Sequence, residues 1–236
     1  MIGPYALACL DMAGTTVRDD GAVENAFDDA LAAVGVVPGT TRHEEAHRFV
    51  RATMGWSKAD VFAELLDAGE AVRATAAFAS AYEAIVTAGR VEPITGASGV
   101  LRELRAQGVY ICLTTGFAPS TRAALLDAMG WQGDIDLALS PADVGRGRPA
   151  PDLVLGAMAR LGVEDPGAVV VVGDTVSDLE AGTAARARAV VGVLTGAHDE
   201  ATLTAAPHTA ILPDITGLPG LLERTEGRPP GHVDRK

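Results

Sequence analysis

The feature that most constrains the fold is a series of short apolar runs, each of which stops at a Thr, Gly or Asp. They cover residues 5–10, 109–113 and 168–172, and the last contains four consecutive valines. Unbroken apolar runs of this length are typical of strands buried on both faces of a parallel sheet. Segments with helical periodicity separate them, so the chain is predicted to be α/β, with a Rossmann-like doubly wound parallel sheet.

The chain also predicts an insertion after its first strand. Helical spacing continues for about seventy residues there, interrupted only at glycines, and predicts four short helices. Thr41 with Glu44 predicts a capping box, Ser57 an N-cap, and Gly69 the end of the third helix. We expect a core of residues 1–20 and 93–223, a helical cap of residues 21–92, and a loose C-terminal tail of residues 224–236.

Composition narrows the class of protein. The 236 residues carry 19 Lys and Arg against 31 Asp and Glu, a net charge of −12. So acidic a chain is a poor partner for nucleic acid or an anionic membrane. No apolar run approaches the ~20 residues that span a bilayer, and the first lacks the basic leader of a signal peptide. Cys9 and Cys112 make no disulfide framework, so we expect reduced core thiols in a cytoplasmic protein.

Lysine is almost absent from this chain. Of the 19 basic residues 17 are Arg, and the two lysines are Lys58 and the terminal Lys236. Chance or codon bias explains such a count as well as function does. The functional alternative is that position 58 needs an amine able to lose its proton, which Arg cannot do. A place in the first turn of a helix, with Met54 and Trp56 nearby, is expected to lower the pKa of Lys58.

Chemistry-bearing residues follow three of the predicted strands, where ligands bind in open parallel sheets. Carboxylates at neighbouring strand ends favour Mg²⁺. Hydroxyl and backbone N–H groups there are suited to a phosphoryl group, as is a guanidinium from the following basic loop. The carboxylates are Asp11, Asp174 and Asp178, the phosphoryl-binding candidates are Gly14, Thr15, Thr115 and Gly116, and the basic loop contains Arg146 and Arg148.

These motifs, in this order, resemble the four motifs of the haloacid dehalogenase superfamily over about residues 5–195. The predicted helical insertion falls where that superfamily has its cap. The resemblance implies that Asp11 is the nucleophile that takes the phosphoryl group. It also implies that Asp11, Asp174 and the Ala13 carbonyl bind Mg²⁺ with support from Asp178, and that Thr115 and Arg148 hold the phosphoryl oxygens.

Two departures point to one branch of the superfamily. Ala13 stands where most of its phosphatases have an Asp that protonates the leaving alkoxide, a step worth ~10²–10⁴-fold in rate. Arg148 stands where a Lys is usual. With the segment from Met54 and Gly55 to Lys58, both departures resemble the phosphonatases, or phosphonoacetaldehyde hydrolases.

The phosphonatase resemblance implies a substrate, a mechanism and an assembly. It implies cleavage of a C–P bond through a Schiff base on Lys58, with Met54 and Gly55 at the substrate, in a homodimer formed through the cap. Val61 and Phe117 replace a His and a Tyr of that branch, so another 2-oxoalkylphosphonate fits as well as phosphonoacetaldehyde. The rival functions are a phosphatase of small phosphate monoesters and a catalytically silent phosphate-binding protein.

A second motif points to different chemistry. Residues 43–47 read His-Glu-Glu-Ala-His and match the H-E-x-x-H pattern of zinc proteases. The stretch is rich in charge and has no obvious third ligand, so we interpret it as a solvated helix face. His198 and His208 are likewise expected to be surface residues and not ligands.

Overall fold

A computed structural model of the chain describes residues 5–224, and six strands within them form one sheet. The strands are β1 (Leu7–Asp11), β2 (Tyr110–Thr114), β3 (Leu137–Leu139), β4 (Val169–Gly173), β5 (Ala189–Val193) and β6 (Ala210–Leu212). Every neighbouring pair is parallel, in the order β3-β2-β1-β4-β5-β6. The chain therefore winds outward in both directions from β1 and β4, which confirms the predicted doubly wound α/β class.

Ten α-helices lie in the same residue range. They are α1 (Ala22–Ala33), α2 (Thr41–Ala52), α3 (Lys58–Leu65), α4 (Ala68–Thr87), α5 (Ala97–Ala106), α6 (Pro119–Met129), α7 (Asp152–Leu161), α8 (Val176–Ala184), α9 (Glu200–Ala205) and α10 (Leu218–Arg224). None of them is long and apolar enough to cross a bilayer.

The central strands are buried on both faces because their side chains alternate between two separate hydrophobic clusters. Ala8 and Leu10 of β1 pack in one cluster with α5 and α10, whereas Leu7 and Cys9 pack in the other with α7. This explains why β1 reads as a continuous apolar run. Cys9 and Cys112 are buried free thiols, as the sequence predicted.

Four helices, α1 to α4, separate β1 from α5, and we call them the inserted helices. The longest, α4, packs against α1 and α3, and it also contacts α6 next to the sheet. Phe27 of α1, Phe62 of α3 and Phe78 of α4 form the aromatic centre of this packing. The division of the chain into a core and a cap domain stays a prediction.

Three local boundaries differ from those predicted. The N-cap of α2 is Thr40, whose hydroxyl accepts from the His43 N–H, so the predicted cap Thr41 is already helical. Gly69 lies in the first turn of α4 and does not end α3. Helix α3 already ends at Leu65, because Leu66 and Asp67 are extended. Arg224 is the last residue of α10, and the rest of the predicted tail lies outside the described residues.

Candidate active site

The carboxyl ends of β1, β2 and β4 meet at one cleft. Asp11 lies beside Thr114 in the sheet register, and β4 runs on the other side of β1. This register brings most of the sequence-predicted residues to a single cavity. Those lining it are Asp11, Ala13, Gly14, Met54, Gly55, Lys58, Thr115, Gly116, Arg148 and Asp174. Thr15 and Asp178 lie behind this lining, hydrogen-bonded to Asp174 and Arg148 respectively.

Three buried carboxylates converge at this edge of the sheet. Asp11, Asp174 and Asp178 each offer an oxygen within 4.8 Å of the others. Asp174 accepts from the Thr15 hydroxyl at 3.0 Å and from the Ala197 N–H at 2.7 Å. Burial, and then the charge of Asp11, raise the pKa of Asp174 to about 7. Such a cluster of hard oxygen donors suits Mg²⁺, whose positive charge would offset the repulsion between the carboxylates.

Gly14 serves this cluster through its lack of a side chain. Its φ is +89°, and a Cβ there would lie 2.5 Å from Asp174 Oδ2. Gly196 approaches the same carboxylate on another side, where a Cβ would also collide. Two glycine backbones thus enclose the Asp174 carboxylate and fix its position.

Arg148 and Arg146 occupy different environments, although they are two residues apart. Arg148 is buried, with Nη1 at 2.5 Å from Asp11 Oδ1 and also in contact with Asp178. Its Nε is buried and has no hydrogen-bond partner among residues 5–224. Arg146 is exposed and forms a two-point ion pair with Asp152, at 3.0 and 2.9 Å. Of the two guanidinium groups, only Arg148 faces the cleft.

Lys58 reaches the cleft from the inserted helices, as the first residue of α3. Its backbone N–H donates to the Gly116 carbonyl at 3.1 Å. A Cβ on Gly116 would lie 2.2 Å from the Trp56 carbonyl oxygen, so the two loops touch backbone to backbone. On the opposite side, the Ser177 hydroxyl donates to the Met54 carbonyl at 3.1 Å. The loop of residues 54–58 is thereby held against two strand ends of the sheet.

The Lys58 side chain is buried among aromatic rings. Nζ lies 5.3, 5.8 and 5.5 Å from the ring centres of Phe27, Phe78 and Phe117. Burial, and then the charge of Arg148, lower the pKa of Lys58 to about 8, although nearby carboxylates oppose the shift. A lowered pKa was expected from the helix terminus and from Met54 and Trp56. The structure assigns it chiefly to burial, and these three phenylalanines lie around the amine.

Sequence reasoning missed Asp19, which also lines the cleft. Its Oδ1 accepts from the Val23 N–H at 3.0 Å and so caps the start of α1. Burial raises the pKa of Asp19, and its charge in turn raises that of Lys58. An Asp just before a helix is usually only a cap, so the sequence does not indicate that Asp19 also lies near Lys58.

Two further histidines bond to the backbone. His198 and His208 were expected at the surface and not as ligands; both are partly buried, and neither belongs to a possible metal cluster of residues 5–224. The Val176 N–H at the start of α8 donates to His198 Nδ1 at 3.0 Å. His208 Nδ1 lies 2.8 Å from the Ala206 carbonyl oxygen. Both are therefore engaged in local structure.

The chain belongs to the haloacid dehalogenase-like hydrolases, since the model of that family matches residues 5–186. It is 30% identical to "Probable phosphatase IndB" of Dickeya dadantii over 91% of this chain and 92% of that one. It is 34% identical to a phosphonoacetaldehyde hydrolase of Bacteroides fragilis over 120 residues, which are 50% of this chain but only 44% of that relative.

A solved structure of similar fold extends the comparison. A phosphonoacetaldehyde hydrolase-like protein from Oleispira antarctica superposes with a TM-score of 0.81, over 96% of this chain and 95% of that one. The sequence identity is 23%, so this likeness supports the fold alone. The chain is thus a hydrolase of the haloacid dehalogenase family, with relatives named as phosphonatases and as a phosphatase.

Proposed function

We propose that this hydrolase cleaves the C–P bond of a small 2-oxoalkylphosphonate, using Lys58 as a Schiff-base amine and Asp11 as the nucleophile. The observation that carries the proposal is the Lys58 amine, which is buried in the same cleft as Asp11 and has a pKa lowered to about 8. A lysine that only attracts anions needs no such environment. A lysine that condenses with a carbonyl does, because only the neutral amine attacks.

The first step forms the imine. Neutral Lys58 Nζ attacks the carbonyl carbon of the substrate, a C–N bond forms, and the carbonyl oxygen leaves as water. The product is an iminium next to the carbon that bears phosphorus. We assign the exchange of the protons that this condensation requires to Asp19, the carboxylate that also lines this cleft.

The second step transfers the phosphoryl group. An Asp11 oxygen attacks phosphorus while the C–P bond breaks, and the electron pair of that bond passes into the iminium to give an enamine. No alkoxide leaves, so the missing acid at Ala13 is no handicap. Arg148, whose buried Nε lacks a partner among residues 5–224, is placed to donate to the phosphoryl oxygens.

The last step returns the enzyme. The enamine takes a proton on carbon, and water hydrolyses the resulting iminium to release the methyl ketone or aldehyde and free Lys58. A second water attacks the aspartyl phosphate on Asp11 and releases phosphate. Mg²⁺ held by Asp11, Asp174 and the Ala13 carbonyl, with Asp178 in support, would supply charge neutralisation between carboxylates and phosphoryl group.

The walls of the cleft favour an apolar group beyond the carbonyl. Val23, Met54 and Phe117 line the cleft, and the rings of Phe27 and Phe78 lie near the amine. A 2-oxoalkylphosphonate with a short alkyl group at the carbonyl would bury that group there. We therefore expect such a ketone to be turned over at least as well as phosphonoacetaldehyde.

A phosphatase of small phosphate monoesters is the second candidate. It is favoured by the likeness to the probable phosphatase of Dickeya dadantii, which extends over nearly the whole of both chains. It would require an acid other than residue 13. Asp19, whose carboxylate lines the cleft, is the candidate for that acid.

Borohydride trapping separates the two functions. With an aldehyde-bearing phosphonate, reduction should inactivate the enzyme and add the mass of the reduced substrate to the peptide containing Lys58. Lys58→Arg keeps the charge but cannot form the imine, so we expect it to be as inactive as Lys58→Ala. Lys236→Arg is the matched control, since it removes the only other lysine and should leave trapping intact.

The opposite outcome is equally clear. If Lys58→Arg retains most of the activity, nothing is trapped, and a chromogenic phosphate ester is turned over well, the enzyme is a phosphatase. A panel of 2-oxoalkylphosphonates assayed for released phosphate then identifies or excludes the substrate class.

A further inference from the structure

The motif at residues 43–47 acquires a third ligand in the fold. His43 and His47 lie one turn apart on α2, and Asp28 of the neighbouring α1 faces both of them. His43 Nε2 is 3.4 Å from Asp28 Oδ1, and His47 Nε2 contacts the same oxygen. The sequence interpretation, a solvated face without a third ligand, is therefore wrong at both histidines, which are partly buried.

We propose that Asp28, His43 and His47 form a site for a divalent transition-metal ion of the Zn²⁺ class, remote from the catalytic cleft. Each residue offers one ligand atom, and the three atoms lie within 4.8 Å of one another. Two ligands each ~2.0–2.1 Å from a tetrahedral ion lie about 3.3 Å apart, close to the separation of His43 and Asp28. Two imidazoles and one carboxylate leave the fourth position for water.

A second observation at His43 supports the site. Its Nε2 is buried and makes no hydrogen bond within residues 5–224, although a ring nitrogen there normally finds a partner. The rings of His43 and His47 lie 4.3 Å apart, which crowds two basic groups against one carboxylate. An ion between them would give His43 Nε2 the partner it lacks and would draw on the negative charge of Asp28.

The ligand types decide which ion fits. Imidazole suits Zn²⁺, Cu²⁺ and Ni²⁺, whereas Mg²⁺ prefers an all-oxygen set such as the one at Asp11 and Asp174. The two sites therefore select different ions within one chain. Glu44, the residue that would act as the base of a zinc protease, is exposed, so we assign the site no protease chemistry.

The position of the site indicates what the ion would stabilise. α2 buries only Ala46 and Val50, so its apolar attachment to the other inserted helices is small. Polar links to α1 supplement it, such as the ion pair of Arg51 with Glu24 at 3.0 Å. α2 leads directly into the loop of residues 54–58 that holds Lys58, so an ion that fixes α2 on α1 also steadies that loop.

The test is a Zn²⁺ titration of the metal-free full chain in an Asp174→Ala background, in which the carboxylate cluster at the sheet edge is broken. We expect one Zn²⁺ per chain and a rise in the melting temperature. Asp28→Ala, His43→Ala and His47→Ala should each weaken binding at least about tenfold and abolish that rise. Matched controls are His208→Ala, which removes a histidine elsewhere, and Glu44→Gln, which removes the protease base; neither should change binding.

A spectroscopic measurement makes the result independent of folding in the variants. X-ray absorption at the zinc edge of the same titrated protein should show two imidazole scatterers. The proposal is overturned if no stoichiometric Zn²⁺ binds, if binding survives loss of His43 and His47, or if the spectrum lacks histidine. The three residues then form a hydrogen-bonded ion pair only, and the C–P cleavage proposal is untouched.

Discussion

At the scale of the residue, the environment of Lys58 sets the pKa of its amine. The same amine on the surface would be a permanent cation, but burial among three phenylalanines lowers its pKa to about 8. Asp11, Asp19 and Asp174 oppose this shift, so the fraction of Lys58 that is neutral depends on a balance between burial and charge. That balance makes a prediction about pH.

The rate of imine formation should rise with pH through about 8, because the neutral fraction of Lys58 rises there. Asp19→Asn removes a negative charge that raises the pKa of Lys58, and the amide can still accept from the Val23 N–H. The rising limb of the profile should therefore move to lower pH in this variant. Asp20→Asn is the control, since Asp20 is exposed and its loss of charge should leave the pH–rate profile unchanged. An unmoved limb in Asp19→Asn would show that Asp19 does not act on Lys58.

Arg148 makes a second prediction at this scale. Arg148→Ala should weaken phosphate binding by about 1.5–3 kcal/mol, the usual contribution of a hydrogen bond to a charged group. Arg146→Ala should change it little, because Arg146 is exposed and paired with Asp152. Competitive inhibition by inorganic phosphate measures both. An equal or larger loss at Arg146 would reverse the assignment.

At the scale of the element, two loops meet to close the cleft. The loop after β2 contains Gly116, and the loop before α3 presents the Trp56 carbonyl to it with no room for a side chain. This contact, together with the Lys58 N–H bond to the Gly116 carbonyl, holds α3 over the sheet edge. The placement of the amine therefore depends on a glycine of the core.

Gly116→Ala tests this placement. The new Cβ would meet the Trp56 carbonyl oxygen at 2.2 Å and push the loop of residues 54–58 away from the sheet. We expect a large loss of kcat/KM and of Lys58 trapping, with the secondary structure retained. Gly99→Ala is the control, because Gly99 lies exposed in α5 with no atom within 4 Å of the new Cβ. Wild-type trapping in Gly116→Ala would mean that the contact does not position Lys58.

The carboxylate cluster at the ends of β1 and β4 makes a prediction about metal. Only the ionised form of Asp174 binds Mg²⁺ well, and its pKa is raised to about 7. Mg²⁺ affinity should therefore fall as the pH is lowered through 7, and Asp174→Ala should abolish it. Titrations of activity against Mg²⁺ at pH 6 and pH 8 measure the effect. Activity that persists in EDTA would exclude a role for the ion.

At the scale of the whole molecule, the homodimer through the cap stays a prediction. Two large apolar side chains of the inserted segment are exposed, Val37 at 57% and Val72 at 72%. Light scattering should give twice the 24.2 kDa mass of the chain, and Val72→Glu should lower it. Leu155→Glu, on α7 beside the sheet, is the control and should not lower it. A monomer at every concentration would refute the dimer.

The sequence by itself determined the α/β class, the central buried strands and the residues at the ends of those strands. Unbroken apolar runs specify strands buried on both faces, and in a parallel sheet the ends of such strands meet at one edge. Asp11, Thr115 and Asp174 could therefore be assigned to one cleft before the fold was known. Lys58 was singled out by residue usage and by resemblance to a family, without any indication of the phenylalanines or of Asp19 around its amine.

Only the tertiary structure decided what surrounds those residues. The sequence gives no distance between segments as far apart as Asp19 and Lys58, or Asp28 and His43, because contacts between helices depend on packing angles that no local pattern encodes. For the same reason the sequence did not show that Asp19, which caps α1, lies near the Lys58 amine. It also did not show that Asp28 meets the two histidines of α2. Local patterns specify elements, whereas chemistry shared between elements arises only when they pack.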